Sequence, residues 1–159
     1  MEQTAAELRQ LIENIKPILL QISNEEATEK PNVERWSKKE ILGHLIDSAA
    51  NNHQKFIRTM AESSVEFVGY EQNIWVNSQY YQSRLWEELV EFWSNYNLHL
   101  AHLIENVPAN CLSNTIKIDG VGPFRLDFIM PDYVEHLKHH LGQILPFTDL
   151  KNKFADVYH

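Results

Sequence analysis

The chain has 159 residues, 43% apolar and 23% charged, a balance that allows one domain with a sizeable core and excludes a mostly disordered polymer. Its formal charge of −8, from 22 acidic side chains against 14 Lys and Arg, argues against nucleic acid as a partner, because the densest basic stretches, Lys38-Lys39 and Lys151 to Lys153, are only pairs. With a single cysteine, Cys111, no basic-then-apolar leader in its first residues and no window near ~18 uninterrupted apolar residues, the chain reads as cytoplasmic, with no disulfide and no membrane span.

Glycine is scarce and the six prolines are scattered, so the frequent turn signals of an all-β fold are missing and helix is the default. The first predicted helix opens on Thr4-x-x-Glu7, a capping-box pattern, and carries Leu8, Leu11, Ile12, Ile15, Leu19 and Ile22 at three- and four-residue steps. Pro17 falls inside that stripe and predicts a kink or an early stop, since proline removes a donor and crowds the preceding turn. The polar stretch 24–35 reads as a loop.

A second capping box, Ser37-x-x-Glu40, starts a helix that runs to about Met60, with Ile41, Leu45, Ala49, Asn52 and Phe56 along one side. Periodicity is lost between Glu62 and Asn73, which predicts a long connection across a bundle end. From Ser83 to Val107 the positions Trp86, Leu89, Val90, Trp93, Tyr96, Leu100, Leu103 and Ile104 hold helical spacing until Pro108.

The stretch 114–124, with Asp119-Gly120 between Ile118 and Val121, reads as a minor hairpin or an irregular excursion before the last helix. A last helix follows, with Leu126, Met130, Tyr133, Leu137, Leu141 and Ile144 as its stripe, Pro131 able to bend its first half and Pro146 at its end; the tail 147–159 is weakly periodic. Four long amphipathic helices must cover their stripes against one another. The expectation is an all-α four-helix bundle with a long crossover connection, one domain over residues 1–159.

Eight histidines raise the question of a metal. On the last helix His136 and His140 stand four apart, so their rings project from one side, about 40° apart around the axis, at the edge of the apolar stripe. That is the spacing by which one helix gives two imidazoles to one ion. His139 points more outward. A third ligand has to come from another helix, and His44, beside Ile41 and Leu45 and on the side of Ser48 and Asn51, is one candidate. His53, nine positions on, faces about 180° away, whereas His99 and His102 on the third long helix form a rival pair that spacing alone does not exclude.

Two stretches carry a family resemblance: WSKKEILGHLIDS from Trp36 to Ser48, and EHLKHHLGQI from Glu135 to Ile144, with GYEQNIW from Gly69 to Trp75 between them. Together they resemble the DinB-like (YfiT-type) superfamily of metal-binding four-helix bundles. The resemblance implies a divalent metal held by His44, His136 and His140. It further implies chemistry like that of the family's thiol-dependent S-transferases, including those that use bacillithiol, with a small-molecule thiol and a small electrophile as substrates.

Three nitrogen ligands with an open position favour Zn²⁺ or Ni²⁺, and such an ion activates a thiol for transfer or a water for hydrolysis. Asp47, one turn beyond His44, and Gln143, one turn beyond His140, are placed to orient ligand rings or a bound group. Glu40 is explained by its cap, and the tryptophans with Tyr80, Tyr81 and Tyr96 read as packing. A di-iron centre is excluded because no histidine has a glutamate three residues before it. Cys111, in a connecting segment without a nearby histidine, makes a poor nucleophile. The alternative to an enzyme is a metal-bound binding or stress-response protein without turnover, and family habit predicts a homodimer.

Overall fold

Residues 1–155 are described in a computed structural model. Helix α1 (Glu2–Leu19) buries Leu8, Leu11, Ile12, Ile15 and Leu19 of the predicted stripe, together with Ala5, while Ile22 lies beyond its end and is half-buried. The Thr4-x-x-Glu7 capping box does not form. The N-cap is Met1, with no side-chain cap bond, Thr4 belongs to the packed face, and Glu7 meets Lys138 of the last helix instead. Pro17 acts as an early stop, since α1 ends two residues later at Leu19.

The stretch predicted as a loop holds a short α2 (Asn24–Thr28), whose first turn is capped by Ser23 Oγ accepting from Glu26 N at 3.1 Å. Five residues are too few to display a helical stripe. Helix α3 (Lys38–Ala61) begins with the predicted capping box: Glu40 N donates to Ser37 Oγ at 3.2 Å and Ser37 N donates to Glu40 Oε2 at 2.8 Å.

The long connection that follows is structured, with β1 (Ser64–Phe67), α4 (Gln72–Ser78) and a 3-10 turn at Tyr81–Ser83. Helix α5 (Trp86–Glu105) lies within its predicted span. Strands β2 (Thr115–Ile118) and β3 (Val121–Arg125) form the predicted hairpin, and its turn residues Asp119 and Gly120 take φ of 51° and 81°, the left-handed pair that a tight two-residue turn requires. The hairpin keeps its predicted extent, but it gains a third strand that was not predicted. Strand β1 pairs in parallel with β2, from Ser64 opposite Thr115 to Phe67 opposite Ile118, to give a three-stranded sheet in the order β1-β2-β3. Helix α6 (Leu126–Ile144) follows, capped by Leu145 just before Pro146.

The protein is therefore mostly helical, a four-helix bundle with a small sheet at its side. α1 packs on α5 and α6, and α3 packs on the same two helices, so that α1 and α3 face each other across one diagonal and α5 and α6 across the other. This arrangement makes α3 and α6 neighbours. Leu8, Leu42, Phe56, Leu89, Trp93, Leu100 and Leu137 fill the interior between the four, each contributing about 1.5–3 kcal/mol through burial. Among the described residues no helix is long and apolar enough to cross a membrane.

Candidate metal centre

The α3–α6 wall brings together the histidines that the sequence offers on those two helices. His44, 1% exposed, projects from α3 toward half-buried His136 and His140 of α6. Its Nε2 lies 3.3 Å from His136 Nε2, and its ring centroid is 5.3 Å from that of His136 and 4.7 Å from that of His140, while the two α6 rings are 4.5 Å apart. One nitrogen from each of the three lies within 4.8 Å of the others, a group that could hold a metal ion. Two imidazole nitrogens on one tetrahedral ion, each bonded at about 2.0–2.1 Å, are about 3.4 Å apart. The His44–His136 spacing fits that requirement.

The rings are held at their outer nitrogens. His136 Nδ1 lies 3.4 Å from Ser48 Oγ, and Asn52 Nδ2 donates to the same hydroxyl at 3.2 Å. Gln143 Oε1 lies 3.2 Å from His140 Nδ1, and Gln143 Nε2 lies 3.2 Å from His139 Nε2. A proton on Nδ1 of each α6 ligand leaves the Nε2 lone pair pointing inward, as metal binding needs. His44 Nδ1 is buried without a partner.

Protonation is suppressed by the surroundings. Burial, and then the neighbouring His140, pushes His44 down to about 3. Burial, followed by His140, His44, His139 and Lys55, holds His136 well below the usual imidazole range. Both rings are therefore neutral at pH 7, with their lone pairs free for an ion without prior loss of a proton. Aromatic rings close the site on two sides: Trp36 lies 5.2 Å from His44, and Phe154, from the chain after α6, lies 5.0 Å from His136.

Asp47 is also buried, but its carboxylate takes the Tyr81 hydroxyl at 2.7 Å and Gln79 Nε2 at 2.9 Å on Oδ1, rather than an imidazole, and Oδ2 has no partner. Burial raises its pKa against the opposing pull of those two hydrogen bonds. Asp47 thus fastens the segment after α4 onto α3. Gly43 makes this approach possible, since a Cβ there would stand 2.1 Å from the Tyr81 ring.

Among the other described histidines, His53, His99 and His102 lie elsewhere. His53 Nδ1 is 3.2 Å from the Tyr96 hydroxyl, its ring is 5.2 Å from that of His99, and His102 faces Asn106. His139 is half-buried rather than outward, packed beside His140 and Phe154. Tyr80, expected in packing, is 74% exposed because it precedes the 3-10 turn in a left-handed conformation. Cys111 is half-buried against the Met60 carbonyl, away from the triad's cavity.

A cavity of about 420 Å³ lies between α3 and α6, with His136 and His140 of the triad and Ser48, Asn52, Lys55, Tyr70 and Asp132 among its walls. Sequence reasoning passed over Lys55 and Asp132. Ser48, Asn52 and Lys55 continue the line of His44 at helical steps, a signal that was available. Nothing in sequence pointed to Phe154.

Compared with known proteins, residues 1–144 match the family described as the DinB superfamily. YfiT from Bacillus subtilis, described as a probable metal-dependent hydrolase with an unusual four-helix bundle topology, superposes with a TM-score of 0.76 over 89% of this chain and 84% of that chain, at 16% sequence identity. At that identity the likeness is one of fold. No curated protein matches the chain.

Proposed function

The chain belongs to the DinB superfamily, and on that premise we propose that it is a metal-dependent enzyme, binding one divalent ion through His44, His136 and His140 and transferring a small thiol, or water, to a small electrophile. One observation carries this reading: imidazoles from two helices, with His44 and His136 held neutral, converge beside a cavity of about 420 Å³. A structural ion needs no such opening. Three nitrogen donors favour Zn²⁺ or Ni²⁺ over Mg²⁺ or Ca²⁺.

An ion bound there supplies Lewis acidity that ionises a thiol or a water near neutral pH. The chain's own residues prepare the place. Ser48 and Gln143 hold the α6 rings in the tautomer that points Nε2 inward, and Trp36 and Phe154 limit the access of bulk water to the donors. The description of YfiT as a probable metal-dependent hydrolase supports the water branch, and the resemblance to thiol transferases supports the thiol branch.

Elemental analysis of purified protein and of His136→Ala, with transfer of thiols to a chromogenic electrophile, tests the proposal. The expected outcome is stoichiometric Zn or Ni in the parent and loss of both ion and transfer in a variant that still folds by circular dichroism. A variant that keeps full activity overturns the reading. One that loses the ion and unfolds makes the ion structural.

A further inference from the structure

The cavity has a second, charged end. Along α3, His44, Ser48, Asn52 and Lys55 follow one another at steps of four, four and three residues, and along α6, His140, His136 and Asp132 follow at steps of four, so each set forms one line down its helix. His44 meets His140, whereas Lys55 lies in the field of Asp132, so the two lines run antiparallel and the cavity stretches between them. At 1.5 Å per residue, Asp132 stands about 12 Å along α6 from His140 and about 6 Å from His136. That is the reach of a small metabolite.

This end presents one ammonium and two carboxylates, Lys55 with Asp132 and Asp119, beside the walls of Tyr70, Tyr133 and Ile118. Burial lowers the pKa of the half-buried Lys55, and the two carboxylates pull it back up. Lys55 Nζ also lies 5.5 Å above the Phe67 ring, and Asp119 accepts the Gly69 N–H at 3.0 Å. A purely anionic ligand would face two carboxylates, and a purely cationic one would face the ammonium. A ligand carrying both charges meets the carboxylates with its cation and the ammonium with its anion at once.

We propose that this end of the cavity recognises a zwitterionic headgroup of the α-amino acid type, with Lys55 taking its carboxylate and Asp132 its ammonium, so that the reacting group of the same molecule is aimed at the three imidazoles. The assignment rests on the function proposed above and narrows its substrate to a small amino acid derivative, such as an amino acid thiol. Each charge-assisted contact to the headgroup contributes discrimination of about tenfold.

The test is calorimetric titration of metal-free protein with three thioethers: S-methyl-L-cysteine, which carries both charges, 2-(methylthio)ethylamine, which carries only the ammonium, and 3-(methylthio)propionate, which carries only the carboxylate. The zwitterion is expected to bind about tenfold more tightly than either half-molecule. Lys55→Met should shift the preference toward the amine and Asp132→Asn toward the carboxylate, opposite changes that a merely structural ion pair would not produce. Equal affinities, or no measurable binding of any of the three to the parent protein, overturn the subsite even if a variant fails to fold. Elemental analysis separates the two claims: an ion-bound protein without the preference overturns only the subsite, and an ion-free protein with it overturns only the metal reading.

Discussion

The two sides of the bundle are built on different principles. Between α1 and α5 the buried surface is almost wholly apolar, with Leu8, Ile12, Ile15 and Leu19 against Leu89, Trp93, Leu100 and Ile104, and its charged links, Arg9 to Glu105 at 2.7 Å and Lys16 to Glu91 at 2.8 Å, lie at the surface. Along α3 the same depth is occupied by His44, Asp47, Ser48 and Asn51, of which His44 and Ser48 meet α6 and Asp47 meets the segment after α4. Two buried polar atoms without a partner, His44 Nδ1 and Asp47 Oδ2, lie within a turn of each other on α3, whereas α5 has Trp93 Nε1 alone. Burying an unbonded polar group is costly. A helix that accepts this cost beside a cavity is organised for binding, and the opposite side has to supply the stability.

The largest expected effect that tests this division is Leu8→Ala. Leu8 is fully buried, and its truncation should cost about 2–5 kcal/mol in unfolding free energy while leaving metal affinity per folded molecule unchanged. Urea titration with parallel metal-binding measurements checks both halves. A loss of metal affinity equal to that of a site variant would mean that the two sides are not separate.

Gly43→Ala should be smaller in stability but different in kind. The added methyl would stand 2.1 Å from the Tyr81 ring, and overpacking of this sort costs about 1–3 kcal/mol. Because Gly43 precedes His44, and Tyr81 holds Asp47, metal affinity should fall along with stability, in contrast to Leu8→Ala. Tyr81→Phe, which keeps the ring and removes the hydroxyl, isolates the hydrogen bond to Asp47. Unchanged metal affinity in Gly43→Ala would show that the segment after α4 does not set the position of α3 at the site.

The same contrast explains what was legible in the sequence. The α1 and α5 stripes, the Ser37 cap and the Asp119-Gly120 turn are local signals, and each appears where periodicity or turn chemistry put it. The pairing of α3 with α6 was not local. His136 and His140 announced themselves by spacing, but spacing left the choice between His44 and the His99–His102 pair open, and only the diagonal order of the helices brings His44 alongside.

Strand β1 escaped because its partner β2 lies some fifty residues on, and four residues with Val65 and Phe67 buried are too short a pattern to identify alone. The Thr4 capping box was a false signal, since the helix had already begun at Glu2. Lys55 and Asp132 went unnoticed because solvated charges dominate helix surfaces, and only the cavity distinguishes these two from the rest.

The smallest expected effect sharpens the comparison from the other direction. Arg9 and Glu105 join α1 to α5 through two hydrogen bonds, Nη1 to Oε1 at 3.1 Å and Nη2 to Oε2 at 2.7 Å, yet the pair is exposed. Water and salt screen such a pair, and holding two long side chains in one geometry costs entropy. Arg9→Ala should therefore move the melting midpoint far less than Leu8→Ala, by an amount that vanishes in high salt. A shift that rivals the core truncation, and that salt abolishes, would mean that charge pairing rather than apolar burial holds α1 to α5, and the assignment of stability to that side of the bundle would fail.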